Sequence, residues 1–105
     1  MGIFVNPIYG SGDFPERVKQ VVKRRSIAQG YKKSRLPVFT GSEIRLLRGT
    51  ADFFGMNFYT AVLVANNADP NLGTLNWDAD SEALFFWNPT WKSAASFWLK
   101  VNKKN

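Results

Sequence analysis

The chain has 105 residues, of which 45% are hydrophobic, and it carries a formal charge of +6 with no cysteine and no histidine. This length allows at most one small domain, and the nine Phe and four Trp argue against intrinsic disorder because they supply apolar surface to bury. The absence of cysteine and histidine excludes disulfides, thiolate metal sites and every Ser-His or Cys-His mechanism.

The N-terminal segment shows no targeting signal. The apolar run in residues 1–7 is too short for a signal peptide, and no basic region precedes it. No stretch approaches the roughly 18 apolar residues that a membrane span requires. We therefore expect no membrane partner, and the residues themselves leave the localisation unknown.

Eight of the fourteen cations lie between Arg17 and Arg35, and no acidic residue interrupts them. Such a run attracts phosphates, and nonspecific binding of nucleic acid needs little beyond clustered Lys and Arg. However, no stacking aromatic residue precedes Tyr31 within the run, and no nucleic-acid-binding motif occurs. We interpret this basic run as a solvated helix face followed by a polar loop, and nucleic acid is the disfavoured partner.

A first helix is predicted at Pro15. Proline is favoured in the first turn of a helix, and the valines that follow it recur at helical spacing. The helix is expected over about residues 15–26, with Asp13 or Phe14 near its cap and a break at Gly30.

A second, shorter helix is predicted over about residues 41–48. Thr40 and Glu43 have the Thr-x-x-Glu spacing of a capping box, and apolar residues follow at once. The helix is expected to end near Gly49.

The aromatic segment 52–60 is predicted to be a strand that continues into residues 61–64. Alternation gives this strand two faces, and the polar groups of Asn57 and Tyr59 lie on one of them. The apolar face consists of Phe54, Met56 and Phe58, and the opposite face of Phe53, Gly55, Asn57 and Tyr59. On the pattern alone, Asn57 and Tyr59 are either strand-end residues whose polar tips reach water or backbone, or groups with a functional role.

Residues 65–81 are rich in Asn, Asp, Gly and Pro, and we predict a long loop there. Within it and just after it, Asp78, Asp80 and Glu82 have a spacing like that of a cation-binding loop. The glycine and the distal glutamate of an EF-hand are absent, so we expect no metal site. The loop is followed by an apolar run over residues 83–87 and by a tail that contains the last tryptophans.

Three blocks of the sequence resemble consecutive parts of glycoside hydrolase family 1, the β-glucosidase and myrosinase group. They are Gly12-Asp-Phe-Pro15 with the basic helix after it, Ser34-Arg-Leu-Pro-Val-Phe-Thr40, and Arg48-Gly-Thr-Ala-Asp-Phe-Phe-Gly-Met-Asn-Phe-Tyr-Thr60. Residues 28–31 and the tail 91–101 look especially like insect members. The Asp-Phe-x-Gly-x-Asn-x-Tyr-Thr block is specific, and the similarity spans nearly the whole chain.

The resemblance implies an α/β fold, the (β/α)8 TIM barrel. A complete barrel needs about 250 residues, so we expect residues 1–105 to be one partial domain and not a closed barrel. In the family's order the chain runs from the loop and helix after the fifth strand, through the sixth strand, into the long following loop. The family continues after Val101 with a segment containing Pro and Gly, so residues 102–105 suggest a truncated transcript or gene model.

The resemblance also implies retaining hydrolysis of β-glucosides by two glutamates, without a cofactor or a metal. Asn57 and Tyr59 would face the sugar pocket at the end of the sixth strand, with Phe58 between them in packing. The Tyr59 hydroxyl would hydrogen-bond the nucleophilic carboxylate, and Trp98 would form a stacking platform for the leaving group. A loop anchor is an equally open interpretation of Trp98. Extracellular secretion is implied by the family alone.

Neither catalytic glutamate of the family is present in this sequence. The family's acid/base lies in an Asn-Glu-Pro motif and its nucleophile in a Glu-Asn-Gly motif, and neither motif occurs here. Retaining glycosidases require two carboxyl groups about 5 to 5.5 Å apart. We therefore expect the chain to be inactive alone, with no catalytic residue of its own.

Two other functions remain open on the sequence. One is a non-catalytic module that binds a sugar or an anion through Tyr59, Trp98 and the basic run, and the other is a chain that docks on a full-length relative and modulates it. A single barrel strand also has two open edges. We therefore expect the isolated chain to be partly unordered, to self-associate, or to associate with the missing barrel parts.

Overall fold

The computed structural model describes residues 2–67, 73 and 75–101. They divide into two compact units, which we call unit 1 (residues up to 54, and 70–81) and unit 2 (residues 55–69, and 82 onward). Unit 1 contains helices α1 (Gly2–Tyr9), α2 (Glu16–Ala28), α3 (Gly41–Leu47) and α4 (Trp77–Ser81). Unit 2 contains strands β1 (Leu63–Asn66), β2 (Ala83–Phe86), β3 (Lys92–Ser93) and β4 (Lys100–Val101). None of the helices that the structure describes has the length and hydropathy needed to span a bilayer.

Helix α2 is the buried centre of unit 1 and confirms the first predicted helix. Val21 and Val22 are 5% and 7% exposed, and Ser26 is fully buried. The Ser26 hydroxyl donates to Val22 O at 2.6 Å and accepts from Arg35 N at 3.0 Å, so it fixes the segment after α2 against the helix. Pro15 is the N-cap residue and not part of the first turn, because its ψ of 139° is extended.

Helix α3 and its capping box are also confirmed. Thr40 Oγ1 accepts from Glu43 N at 3.3 Å, and Thr40 N donates to Glu43 Oε2 at 2.7 Å. These two bonds satisfy backbone donors that the first turn of a helix leaves free. Gly49 follows α3 with a φ of 73° and donates its N–H to Ile8 O at 2.8 Å, which joins the end of α3 to α1.

Helix α1 is not among the predicted elements. Pro7 lies inside it, and a proline within a helix removes a backbone donor, so the sequence argues against a helix here. The side chain of Asn6 donates to Asp13 O at 2.8 Å and holds the connection to α2. In that connection Gly12 has a φ of 85°, and a Cβ there would lie 2.5 Å from Ile44 O, so only glycine allows this approach to α3.

Unit 1 should lose stability in acid. The Lys19 ammonium, which hydrogen-bonds both carboxylates, holds the pKa of Asp13 and of Glu16 below their ordinary values of 3.8 and 4.5. The Thr40 backbone and hydroxyl lower the pKa of Glu43 in the same way. Because the folded state favours the charged forms, their contribution is complete above the ordinary values and is lost as the pH falls below them. Helical circular dichroism during thermal unfolding should therefore show a melting temperature that falls below about pH 4.5.

The control for this prediction is Lys19→Met, which removes the cation that lowers two of the three pKa values. Its melting temperature should fall less steeply with acid than that of the wild-type chain. If the melting temperatures of the two proteins fell equally steeply with pH, Lys19 would not be the cause of the acid sensitivity.

The predicted strand over residues 52–60 is wrong for this chain. Residues 53–62 belong to no ladder among the described residues, and the first described strand begins at Leu63. Phe58 is not packed, because it is 70% exposed, and Met56 on the same expected face is 55% exposed. A strand is held by hydrogen bonds to a neighbouring strand, and alternation in the sequence does not supply that neighbour.

The predicted loop over residues 65–81 is wrong at both ends. Strand β1 continues to Asn66, and α4 occupies the other end, while residues 68–72 and 74 lie outside the described residues. Strand β1 pairs antiparallel with β2, with Leu63 opposite Phe86. Val64 and Phe85 remain 59% and 54% exposed, so the described part of unit 2 leaves much of its apolar surface uncovered.

Candidate functional site

The segment that leads into β1 carries two of the three predicted site residues. Asn57 is exposed and Tyr59 is 69% exposed. Neither side chain makes a hydrogen bond to any residue that the structure describes. A phenol hydroxyl can donate and accept, and an amide offers two donors and an acceptor. Both groups are therefore available to a polar ligand.

Trp98 lies in the turn between β3 and β4. Leu99 closes this turn, because its N–H donates to Ser96 O at 3.0 Å and its carbonyl accepts from Ala94 N at 2.9 Å. The Ser93 hydroxyl also donates to Phe97 O at 3.3 Å. Trp98 is 42% exposed, and an exposed indole can stack on a flat apolar ligand.

Thr60 brings the two segments together. The Lys100 N–H donates to Thr60 Oγ1 at 3.1 Å, and the same hydroxyl donates to Lys100 O at 3.4 Å. Thr60 directly follows Tyr59, and Lys100 lies two residues after Trp98. The sequence analysis assigned no role to Thr60, because its partner is 40 residues away and no local pattern indicates the contact.

The interpretation of the basic run as a solvated face is wrong for Arg25, which is buried, and three cations of the run form ion pairs. Arg25 is 2% exposed, and its Nε donates to Asp80 Oδ1 at 3.2 Å. Arg35 donates to both oxygens of Asp80, at 2.6 and 3.0 Å. Lys19 forms an ion pair with Asp13 at 2.9 Å. These three cations therefore already have carboxylate partners within unit 1.

The same contacts explain one member of the acidic cluster, Asp80, which forms ion pairs with two arginines. Glu82 is 7% exposed and immediately precedes β2. Among the residues with described positions, no group of three or more Asp, Glu, His or Cys is arranged to hold a metal ion.

The described part of unit 2 supplies binding groups and not a catalytic pair. Its exposed phenol, amide and indole can bind hydroxyl groups and stack on a ring. Glu82 is the only carboxylate bearer among its described residues. Retaining hydrolysis of a glycoside needs two such groups. The described residues of unit 2 therefore offer hydrogen-bonding and stacking groups but do not contain two carboxyl groups that could act as acid and nucleophile.

Comparison with known proteins gives one consistent result. A sequence model of glycosyl hydrolase family 1 matches residues 1–104. The chain is 44% identical to human lactase/phlorizin hydrolase over 100 residues, which are 95% of this chain and 5% of that protein. It is 42% identical to human cytosolic beta-glucosidase over 103 residues, 96% of this chain and 21% of the relative. It is 38% identical to myrosinase 1 of Brevicoryne brassicae over 102 residues, 97% of this chain and 20% of that enzyme.

The fold agrees with the sequence comparison. The solved structure of an aphid myrosinase superimposes with a TM-score of 0.72 at 36% identity, over 88% of this chain and 19% of that structure. The chain is thus an open part of a (β/α)8 barrel, as the resemblance implied, and it spans about a fifth or less of the length of these relatives. Members of the matched family act on glycosides. On this evidence the chain belongs to glycosyl hydrolase family 1.

Proposed function

We propose that the chain is the part of a retaining β-glucosidase-like hydrolase that binds the substrate and orients the nucleophile. Its substrate is a small β-glucoside, whose O-glycosyl bond the assembled barrel hydrolyses. Tyr59 hydrogen-bonds the nucleophilic carboxylate, Asn57 contacts the sugar, and Trp98 stacks on the leaving group. Residues 1–105 are one partial domain, and both compact units belong to it.

The observation that carries this proposal is the free hydrogen-bonding capacity of Asn57 and Tyr59. Both side chains are exposed and have no hydrogen-bond partner among the described residues, so a ligand hydroxyl can pair with them in place of water. They lie in the block that is specific to the family, and Thr60 fixes that block beside the turn of Trp98. Exposed polar groups and an exposed indole, on segments that the Thr60–Lys100 contact joins, suit a sugar with an aromatic leaving group.

A different class of function, a separate anion-binding module, fits the geometry less well. Arg25 and Arg35 of the basic run are paired with Asp80, so they are not available to an external phosphate. The exposed apolar residues of unit 2 also favour association with further barrel segments over an independent module. These segments would cover Phe58 and the faces of the paired strands β1 and β2.

The isolated chain should show no turnover of p-nitrophenyl β-glucoside, because no described carboxylate pair surrounds Tyr59. The same residues should support turnover when they replace the matching segment of human cytosolic beta-glucosidase, a relative 42% identical over 103 residues. The native relative is the positive control for both assays. Turnover by the purified chain alone would contradict the proposal, and so would a folded but inactive chimera.

A further inference from the structure

The contact between Thr60 and Lys100 joins parts of the chain that are far apart in sequence. Thr60 is part-buried, and its hydroxyl both accepts from Lys100 N at 3.1 Å and donates to Lys100 O at 3.4 Å. Over the residues that the structure describes, strands β3 and β4 share two residue pairs, Lys92 with Val101 and Ser93 with Lys100. Two pairs contribute little stability of their own. The Lys100 ammonium also donates to Ser93 Oγ at 2.7 Å within the hairpin, and the Thr60 hydroxyl adds a contact to the end of the hairpin from a distant part of the chain.

The contact between Thr60 and Lys100 also reaches the backbone of the turn that carries Trp98. The Lys100 N–H also lies 3.1 Å from the carbonyl of Trp98 itself, so one amide joins the Thr60 hydroxyl to the Trp98 backbone. On the other side, Tyr59 is the residue before Thr60. Successive Cα atoms are about 3.8 Å apart. The hydroxyl thus fixes the backbone within one or two residues of both predicted site residues.

We infer that Thr60 is a positioning residue, whose hydroxyl sets the Trp98 turn against the Tyr59 segment so that both reach one glycoside. This inference rests on the proposed function. The hydroxyl does not touch the substrate; it acts through the Lys100 backbone. Thr90 in the same unit differs in this respect, because its hydroxyl donates to the Asn88 side chain two residues away, at 2.8 Å.

The test uses the full 105-residue chain and two readouts. The first is the amide hydrogen-exchange rate of Lys100, measured by NMR. The second is titration with p-nitrophenyl 1-thio-β-glucoside, which resists hydrolysis, followed at the Trp98 indole N–H signal and assigned with Trp98→Phe. Thr60→Val removes the hydroxyl at nearly constant shape, Thr60→Ser retains it, and Thr90→Val is the matched control.

Thr60→Val should speed Lys100 exchange and weaken thioglucoside binding, each by about fivefold, as expected for the loss of one net hydrogen bond. Thr60→Ser should restore both values, and Thr90→Val should change neither. An unprotected Lys100 amide in the wild-type chain would overturn the inference that the Thr60 hydroxyl holds Lys100. Equal Lys100 exchange rates in Thr60→Val and the wild-type chain would overturn it too. Faster exchange with unchanged binding would overturn only the positioning role. A wild-type chain whose Trp98 signal ignores the thioglucoside would overturn the positioning role of Thr60, whereas the proposed function itself fails if the chimera with human cytosolic beta-glucosidase is folded and inactive.

Discussion

Asp80→Ala should destabilise unit 1 by about 3 kcal/mol, because it leaves two arginines without the carboxylate that they share. Arg25 is 2% exposed, and Arg35 makes two hydrogen bonds to Asp80, at 2.6 and 3.0 Å. Removing one partner of a buried ion pair costs far more than the pair itself contributes. The two guanidinium groups would then also repel each other. Amide exchange of Val22 and Ser26, in the centre of α2, measures the loss.

The control for this prediction lies on the same short helix. Asp78 is exposed, and no described residue pairs with its side chain, so Asp78→Ala should change exchange at α2 by less than about twofold. Asp80→Ala should speed that exchange by more than about a hundredfold. Similar effects of the two substitutions would show that α4 stabilises unit 1 by packing alone.

A compensating variant separates charge from packing. Apolar replacement of a whole buried ionic cluster is often neutral or stabilising. Arg25→Met and Arg35→Met, introduced together with Asp80→Leu, should therefore recover most of the stability that Asp80→Ala loses. A triple variant as unstable as Asp80→Ala would mean that the hydrogen-bond geometry of this cluster, and not its charge balance, holds the unit.

The helices show what a sequence reveals when its signals are local. The boundary of α3 follows from Thr40 and Glu43, three residues apart, and both bonds of the capping box form. The helical spacing of Val18, Val21 and Val22 places α2 correctly within a few residues. Helix α1 cannot be predicted in this way, because Pro7 locally disfavours a helix. Contacts with the rest of unit 1 outweigh that preference.

The strands and the arginine cluster show where local signals fail. Alternation over residues 52–60 suits a strand, but a ladder needs a partner, and the pairing that forms instead joins β1 to β2, about 20 residues away. Asp80 is 55 residues from Arg25 and 45 from Arg35. One feature of the sequence did indicate the arginine cluster. A long run of cations that contains no acidic residue needs carboxylates from elsewhere in the fold if any of its members is buried.

In the candidate site, too, some residues can be identified from the sequence and one contact cannot. Asn57, Tyr59 and Trp98 can be singled out from the sequence because they belong to recognisable family blocks. Thr60 belongs to the same block, yet its hydrogen bond to Lys100 depends on the path of the chain and not on the motif. Chemical identity is thus readable from the sequence, while the contacts that position a group are not.

Tyr59→Phe should lower kcat by about a hundredfold with little change in KM, when tested in the chimera with human cytosolic beta-glucosidase. A hydroxyl that donates to the nucleophilic carboxylate favours its ionised form and orients it for attack. Loss of that bond affects the transition state more than substrate binding, so the cost falls on kcat. Initial rates with p-nitrophenyl β-glucoside over a range of concentrations give both constants.

The pH profile of the same variant tests the mechanism directly. A hydrogen bond to a carboxylate lowers its pKa, so its removal should raise the pKa of the nucleophile and move the acid limb of the kcat/KM profile to higher pH. Tyr31→Phe is the matched control, because Tyr31 lies in unit 1 with its ring 6.0 Å from the Arg35 guanidinium and with no hydrogen bond from its hydroxyl to a described residue. It should leave both kcat and the acid limb unchanged. A Tyr59→Phe variant that loses kcat without moving the acid limb would limit Tyr59 to holding the shape of the pocket.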